Sequence, residues 1–539
     1  MIDVEMMVRQ HEHLVGAQGN WRSYWQDLAD FVLPRKAWIT TIKTQGERLK
    51  FNFLFDSTAI RALKIMAAGF HSNLTNPASK WFALQTRDLR WMERQDVQLW
   101  FKQVEDIMFS VFNTSNFDTA MQEFYMDAGG FGTGAIYTED DSQDKVRFHT
   151  IPIEQMALVE DFRGRVFEFY RAFRLTAQQA FRLWGPQAGP SVAESIRDQQ
   201  YFRTLEFLHY VGPRHQWDAG KSDGVNMPWV SAWVALKDKR LISEGGFLEF
   251  PYAVGRFYKD ANEVFGYSPA MDALADIKGI NAQKRTLLRA AMKIADPAMA
   301  APSRGFLLPL NLNPAAMNYY DAKSTTVDAL KPIQSTGNIP ITADVIKMTQ
   351  EDIEQTFFVP LFRSISDINK QMTVPEVQRR IAENMVLLGP VVGRFTHEVL
   401  NPLVLRTFFI LQRQGELPEP PGFLQGQEMD VIYLSPLAKA QRASEMSSLQ
   451  TYLVMLGEIA KVKPDVLDTL NEDRTAHILA DIQGIDPTVT RDPREVEELR
   501  QQRQQAQAAA LQLEAMHKGA QIAESGAKAG KHATEAMAE

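Results

Sequence analysis

Chemistry-bearing patterns are sparse in this chain, and each one breaks a rule that its chemistry requires. The run GGFGTGA, Gly129 to Ala135, has the composition of a phosphate-cradling loop. Such a loop must open a helix, so that backbone N–H groups and the helix dipole meet the phosphates. Here the following residues alternate like a strand and the glycine spacing is wrong, so the run reads as turn and close-packing glycine. No Gly-x4-Gly-Lys-Ser/Thr loop and no G-x-S-x-G nucleophile turn occurs. His397-Glu398 begins like a zinc-binding helix, but the second histidine would fall at Asn401, so the two read as a pair on a helix surface. His11-Glu12-His13 reads as a solvated first turn, and TEDDSQD at 138–144 as a charged hairpin tip. Zero cysteines exclude disulfides, thiolate zinc sites and a cysteine nucleophile. Glu168, Glu206 and Glu249 could supply the carboxylate pair of a glycan hydrolase, but carboxylates alternating along strands ordinarily face solvent. The expectation is no enzyme: no catalytic, cofactor-binding or metal-ligating residue, and no cofactor.

One pattern stands out. Residues 268–295 carry helical periodicity, ended by Asp296-Pro297. With Lys278 at 0° and about 100° per residue, Arg285 falls near −20°, Arg289 near +20° and Lys293 near +60°. Leu274, Ile277, Leu287, Leu288 and Ala291 occupy the other side, and Lys284 sits inside that apolar arc, at a border with a neighbour. The helix thus has a basic stripe and a packing face, while Asp272 and Asp276 suit the dipole at its start.

The elements around it predict an α+β chain. Trp21, Trp25, Leu28 and Val32 place a helix before Pro34. Asp56 or Ser57 caps a second, and 92–112 and 117–128 read as two more. From about residue 130 the period changes to two, over segments such as RVFEFYRAFRL and PWVSAWVAL, which predicts an antiparallel region. One helix, TAQQAFRLW, interrupts it, capped by Thr176. After 268–295, the stretch 297–341 is a small irregular lobe. A helix over 342–363 follows with Thr342 as N-cap, then the polar loop SISDINKQMTVP. A long helix over 375–413 has kinks expected at Gly389-Pro390 and Pro402. Helical pieces fill 436–484, and the Ala- and Gln-rich tail from 493 reads as a helix that needs neighbours.

At 539 residues, several domains or lobes are expected. Hydrophobic residues make up 45% and charged residues 23%, as in a folded chain with a large core. Lys and Arg number 58 against 66 Asp and Glu, a net charge of −8, which argues against gripping nucleic acid over the whole surface. No apolar signal segment follows MIDVEMMVRQHEH and no run of about 18 apolar residues occurs, so neither a signal peptide nor a membrane span is expected.

The chain resembles the portal, or head-to-tail connector, of short-tailed bacteriophages. The resemblance runs through WRSYWQDLADFVLP, FDSTAIRALKIMAAGFHSNLTNPASKWFAL and GGFGTGAIY, and is most specific in the phrase GYSPAMDALADIKGIN and the run TVPEVQRR. It implies a ring of twelve subunits at one capsid vertex. Double-stranded DNA is packaged through its channel by a terminase and later ejected, without base-specific reading. It implies a wing at 1–267, stem helices at 268–295 and 342–363, a clip at 296–341 and a channel loop at 364–374. A wing-to-crown helix and crown would occupy 375–489, and a C-terminal helical barrel 490–539. Lys278, Arg285, Arg289 and Lys293 would then face DNA, with Lys370, Gln371 and Met372 on the channel loop. Phe306 and Tyr319 would dock terminase or the tail adaptor, or else form clip core. Major capsid and scaffolding proteins are the other implied partners. The implied location is the virion, with assembly in the host cytoplasm. The alternatives are a capsid-associated scaffold without a channel and the glycan hydrolase.

Overall fold

The computed structural model describes residues 3–41, 53–218, 220–221, 223–295, 299–300, 331–332, 339–366, 388–424, 429–433, 449–461, 463–470, 475–476, 479 and 496–508. The described residues fall in two compact units. The first lies within 1–83, 106–417 and 431–438, the second within 84–105, 418–430 and 439–539.

The first unit opens with α1 (Val4–Ala17) and α2 (Gly19–Phe31). Asp3 caps α1 by accepting a hydrogen bond from Met6 N at 3.0 Å. Trp25, Leu28 and Val32 are buried, as their spacing predicts. His11 is buried as well, its ring beside Tyr170, so the His11–His13 turn is not fully solvated. The helices α3 (Thr58–Leu74) and α5 (Phe117–Phe131) follow, while α4 (Gln95–Thr114) is divided between the two units. Phe70 of α3 stacks on Tyr125 of α5 and meets Phe257 and Phe395 edge-on, which makes an aromatic core. α5 ends at Gly132 with φ +82°, where a Cβ would stand 2.0 Å from Gly266 O. The glycine run is therefore a turn under close packing, and it leads into a strand.

The antiparallel region forms two sheets. Numbering β1 as Phe82–Thr86, the strands β2 (Thr133–Asp141), β3 (Lys145–Ile151) and β9 (Tyr252–Arg256) pair in the order β3-β2-β9. The five-stranded meander β4-β5-β6-β7-β8 comprises Met156–Glu160, Val166–Thr176, Thr204–Pro213, Trp229–Ala235 and Arg240–Phe247. Phe169 of β5 stacks on Tyr252 of β9 at 3.8 Å, joining the sheets. Between β5 and β6 lie α6 (Ala177–Trp184) and α7 (Pro190–Arg197). α6 starts with a full capping box, Thr176 with Gln179.

A buried guanidinium ties these parts to the later helices. Arg256, whose side chain is 2% exposed, donates to Glu398 through its backbone N, Nε and Nη2, and also to Glu160 and the backbone of Gly164. Lys259 donates to the other oxygen of Glu160 at 3.0 Å. Glu398 is thus an inward ion-pair partner and not half of a surface His-Glu pair. It sits in a π-helical turn, Thr396–Leu400, directly before the helix Asn401–Arg413. Pro402 removes an N–H from the ladder there, so the expected kink takes the form of a widened turn.

The segment 268–295 is two helices, α8 (Pro269–Asp272) and α9 (Leu274–Ala295), with Ser268 capping the first through Met271 N. The stretch 342–363 is also two. α10 (Ile339–Thr356) begins before Thr342, which is therefore interior, and α11 (Val359–Ser366) follows a break at Phe358, φ +56°. Pro360 explains the break, because its ring excludes the carbonyl of residue 356 from a continuous helix.

In the second unit, Leu84 N donates to Glu105 Oε1 at 2.8 Å and Trp100 Nε1 to Pro418 O at 3.0 Å. Its helix at 449–460 exposes Tyr452, Val454, Met455 and Ile459. Among the described residues no helix is long and apolar enough to cross a membrane.

Candidate nucleic-acid-facing helix

α9 is firmly held over its first half only. Leu274, Ile277 and Ile280 are buried. Asn281, also buried, donates to Ile277 O at 2.8 Å and accepts from the backbone N of Phe55 and Asp56 at 2.8 and 3.0 Å. Lys284 Nζ lies 2.5 Å from Asp56 Oδ2, and Gln350 of α10 donates to the same oxygen at 2.9 Å. Thr58 N donates to Asp56 Oδ1 at 2.7 Å, which starts α3. The Asp56 side chain is 2% exposed, so one buried carboxylate joins α3, α9 and α10. Burial alone would raise its pKa; Lys284, Thr58 and Gln350 outweigh burial and hold it below the ordinary carboxylate range. Lys284 in the apolar arc was the sequence signal for this node. Its partner is in its own chain, 228 positions earlier, which no local pattern could reveal.

Beyond Lys284 the helix loses its cover. Leu288, Met292 and Ile294 are 48, 68 and 55% exposed, and α10 exposes Val345 and Met348. The predicted packing face is therefore occupied early in α9 and bare later.

The four predicted basic residues divide along the same line. Lys278 is not free: its Nζ sits 2.7 Å from Asp27 of α2 and 5.8 Å from the Phe31 ring. That pair is half exposed and of small energetic worth. The Arg285 guanidinium lies 5.8 Å from the Phe55 ring. Arg289 and Lys293 are exposed and have no ion pair among the described residues. Lys370, Gln371 and Met372, and likewise Phe306 and Tyr319, lie outside the described residues.

Nothing comparable exists for hydrolysis among the described residues. Glu168 accepts from Tyr170, Glu206 from Arg174, and Glu249 from Arg406 and Arg413. These are ordinary strand and helix partners. Ser231, His209 and Tyr252 form a chain with the geometry of a nucleophile relay, His209 Nδ1 to Tyr252 Oη at 2.6 Å and Nε2 to Ser231 Oγ at 3.0 Å. However, His209 is fully buried under Trp233, and burial lowers its pKa to about 3. No substrate reaches it, and it stays neutral as a core hydrogen-bonding group.

Residues 6–490 match the sequence model of the bacteriophage head to tail connecting protein family. The chain is 32% identical over 533 residues to the portal protein of Salmonella phage epsilon15, covering 97% of this chain and 94% of that one. It is 30% identical over 510 residues to the probable portal protein of Bordetella phage BPP-1, covering 94% and 92%. A solved chain from the virion of a native gene transfer agent particle aligns over 79% of this chain and 95% of its own, at 12% identity and a TM-score of 0.36. By the family match across most of its length, the chain belongs to the bacteriophage head-to-tail connecting proteins.

Proposed function

We propose that this chain is the portal subunit of a short-tailed phage virion. Copies close into a ring of twelve at one capsid vertex. Double-stranded DNA enters through the axis during packaging by a terminase and leaves through it on ejection, and the ring seats the tail adaptor. Major capsid and scaffolding proteins surround it, the ring being built in the host cytoplasm. It hydrolyses nothing itself.

The observation that carries this reading is α9. Its first half is locked by the Asp56 node, while its second half bares both apolar and basic residues. On the helical wheel, Leu288 and Met292 fall near −80° and −40° and Ile294 near 160°, on opposite flanks of the Arg289–Lys293 stripe. A subunit in a closed head-to-tail ring uses two different faces, one for each neighbour, and leaves a third for the axis. Two apolar flanks about one basic stripe fit that demand. Each phosphate neutralised contributes a slope of about −0.9 to the salt dependence, so many firm phosphate bonds would hold DNA still. The two cations Arg289 and Lys293 on each subunit, within a chain of net charge −8, favour loose, backbone-directed association.

In this assignment 1–267 is the wing, 268–295 and 342–363 the stem, 296–341 the clip and 364–374 the channel loop. Residues 375–489 form the wing-to-crown helix and crown, and 490–539 the barrel. Lys278, Arg285, Arg289 and Lys293, with Lys370, Gln371 and Met372, are the DNA-facing set, and Phe306 and Tyr319 the docking set. Lys278 contributes least, being shared with Asp27.

Negative-stain electron microscopy with mass photometry tests the assignment. The expected result is rings with an open axis and a mass near twelve copies of the 61.1 kDa chain. Closed particles without an axial hole, or a monomer that neither salt nor scaffold converts to rings, would overturn it.

A further inference from the structure

A cleft of ≈ 640 Å³ opens in the first unit between the α1–α2 layer, the segment 34–41 and the five-stranded sheet. That volume suits a small molecule. The wall carries four cations, Arg22, Arg35, Lys36 and Arg174, against two carboxylates, Glu154 and Glu206.

Part of this charge is settled locally. Lys36 Nζ lies 2.6 and 2.7 Å from the two oxygens of buried Asp127. Arg174 donates twice to Glu206, at 2.8 and 2.7 Å. Arg22 and Arg35 remain. Arg22 spends one Nη2 bond on the backbone oxygen of Glu154 at 3.0 Å, and its buried Nε–H has no hydrogen-bond partner among the described residues. An unmet buried N–H is costly and calls for an acceptor. Arg35 is exposed and has no ion pair among the described residues. Glu154 supplies one carboxylate against these two guanidinium groups. The cleft is therefore positive in balance, two guanidinium groups against one unpaired carboxylate. The side chain of Phe173 gives it an apolar wall.

We infer that this cleft binds a small phosphorylated molecule, held by Arg22 and Arg35. Two guanidinium groups from one short stretch of chain suit an anion with three oxygens better than a single carboxylate. A phosphate there would accept from both guanidinium groups and bridge α2 to the 34–36 turn.

The test is isothermal titration calorimetry of the full chain against inorganic phosphate, pyrophosphate and a nucleoside monophosphate, at ionic strength held constant with chloride. Saturable binding of at least one is expected, weakened about tenfold or more, or ~1.4 kcal/mol, by Arg35→Ala. Arg35 makes no described ion pair, so this variant should fold and form rings as the parent does. Arg22→Lys keeps the charge but removes the fork, and should weaken binding also. No saturable binding at millimolar ligand, or binding that Arg35→Ala leaves unchanged, overturns the inference. So does binding confined to a duplex oligonucleotide titrated alongside the three small ligands. Ring assembly is read separately, so a failure here leaves the portal assignment standing.

Discussion

Replacing Lys284 by methionine should loosen the α3–α9–α10 junction. Asp56, 2% exposed, would keep its bonds from Thr58 N and Gln350 but lose its cationic partner. Breaking a buried pair by removing one partner costs about 3–5 kcal/mol. Here Lys284 is 30% exposed and two hydrogen bonds survive, so about 2–3 kcal/mol is expected. The pH dependence gives a second, independent sign. The Asp56 pKa is lowered in the folded chain. Its stabilisation is therefore present above the ordinary carboxylate value, about pH 4, and is lost as pH falls through the folded value. Without Lys284, burial is less opposed and the carboxyl pKa rises. The gap between parent and Lys284→Met should be full at neutral pH and shrink on acidification. Adding Asp56→Asn should recover part of the loss, because no buried charge then remains. Hydrogen exchange of α9 and α10, with urea unfolding alongside, reads both effects. A change under about 0.5 kcal/mol, or a gap independent of pH, would refute the reasoning.

Three further outcomes follow from the same structure. Arg256→Met should cost about 3–5 kcal/mol and lower the thermal midpoint, because Glu398 loses its guanidinium partner while Glu160 keeps only Lys259; a midpoint unchanged within error counts against the node. His209, with its folded pKa near 3, stays neutral while the unfolded histidine protonates below about pH 6.5, so stability should fall with acidification at up to ~1.4 kcal/mol per pH unit. His209→Gln should flatten that slope, and an equal slope in both proteins would show that other groups set it. Arg289→Glu with Lys293→Glu should leave ring assembly intact and reduce the salt slope of DNA binding by about 0.9 for each phosphate no longer neutralised; an unchanged slope would move the DNA-facing surface elsewhere.

Local chemistry made several elements legible in advance. Thr176 announced α6, and period-two runs announced an antiparallel region, though not its division into two sheets. Pro360 carried the signal for the break after Thr356, yet the apolar spacing of VPLF ran through it and gave one helix where there are two. The ionic nodes were not legible. Asp56 and Lys284 are 228 positions apart, and Arg256 and Glu398 are 142, so only folding pairs them. Lys284 showed as a misplaced cation in an apolar arc, which flags a partner without naming it. The wheel also treated α9 as uniform, whereas its cover ends near Lys284. The family was readable because its long phrases survive in sequence; the distinction of Arg289 and Lys293 from the rest of the stripe emerged only when Lys278 was found beside Asp27.

In the proposed ring, the bare half of α9 meets a neighbouring copy on each flank of its basic stripe. With no native cysteine, the chain permits a clean test. Met292→Cys and Ile294→Cys, combined in one chain, put a thiol on each flank. A short bis-maleimide should then give a ladder of covalent oligomers that ends at the ring, while either single substitution stays largely uncoupled. Equal crosslinking of the single and double variants, or no species above a dimer from rings seen by microscopy, would contradict the account.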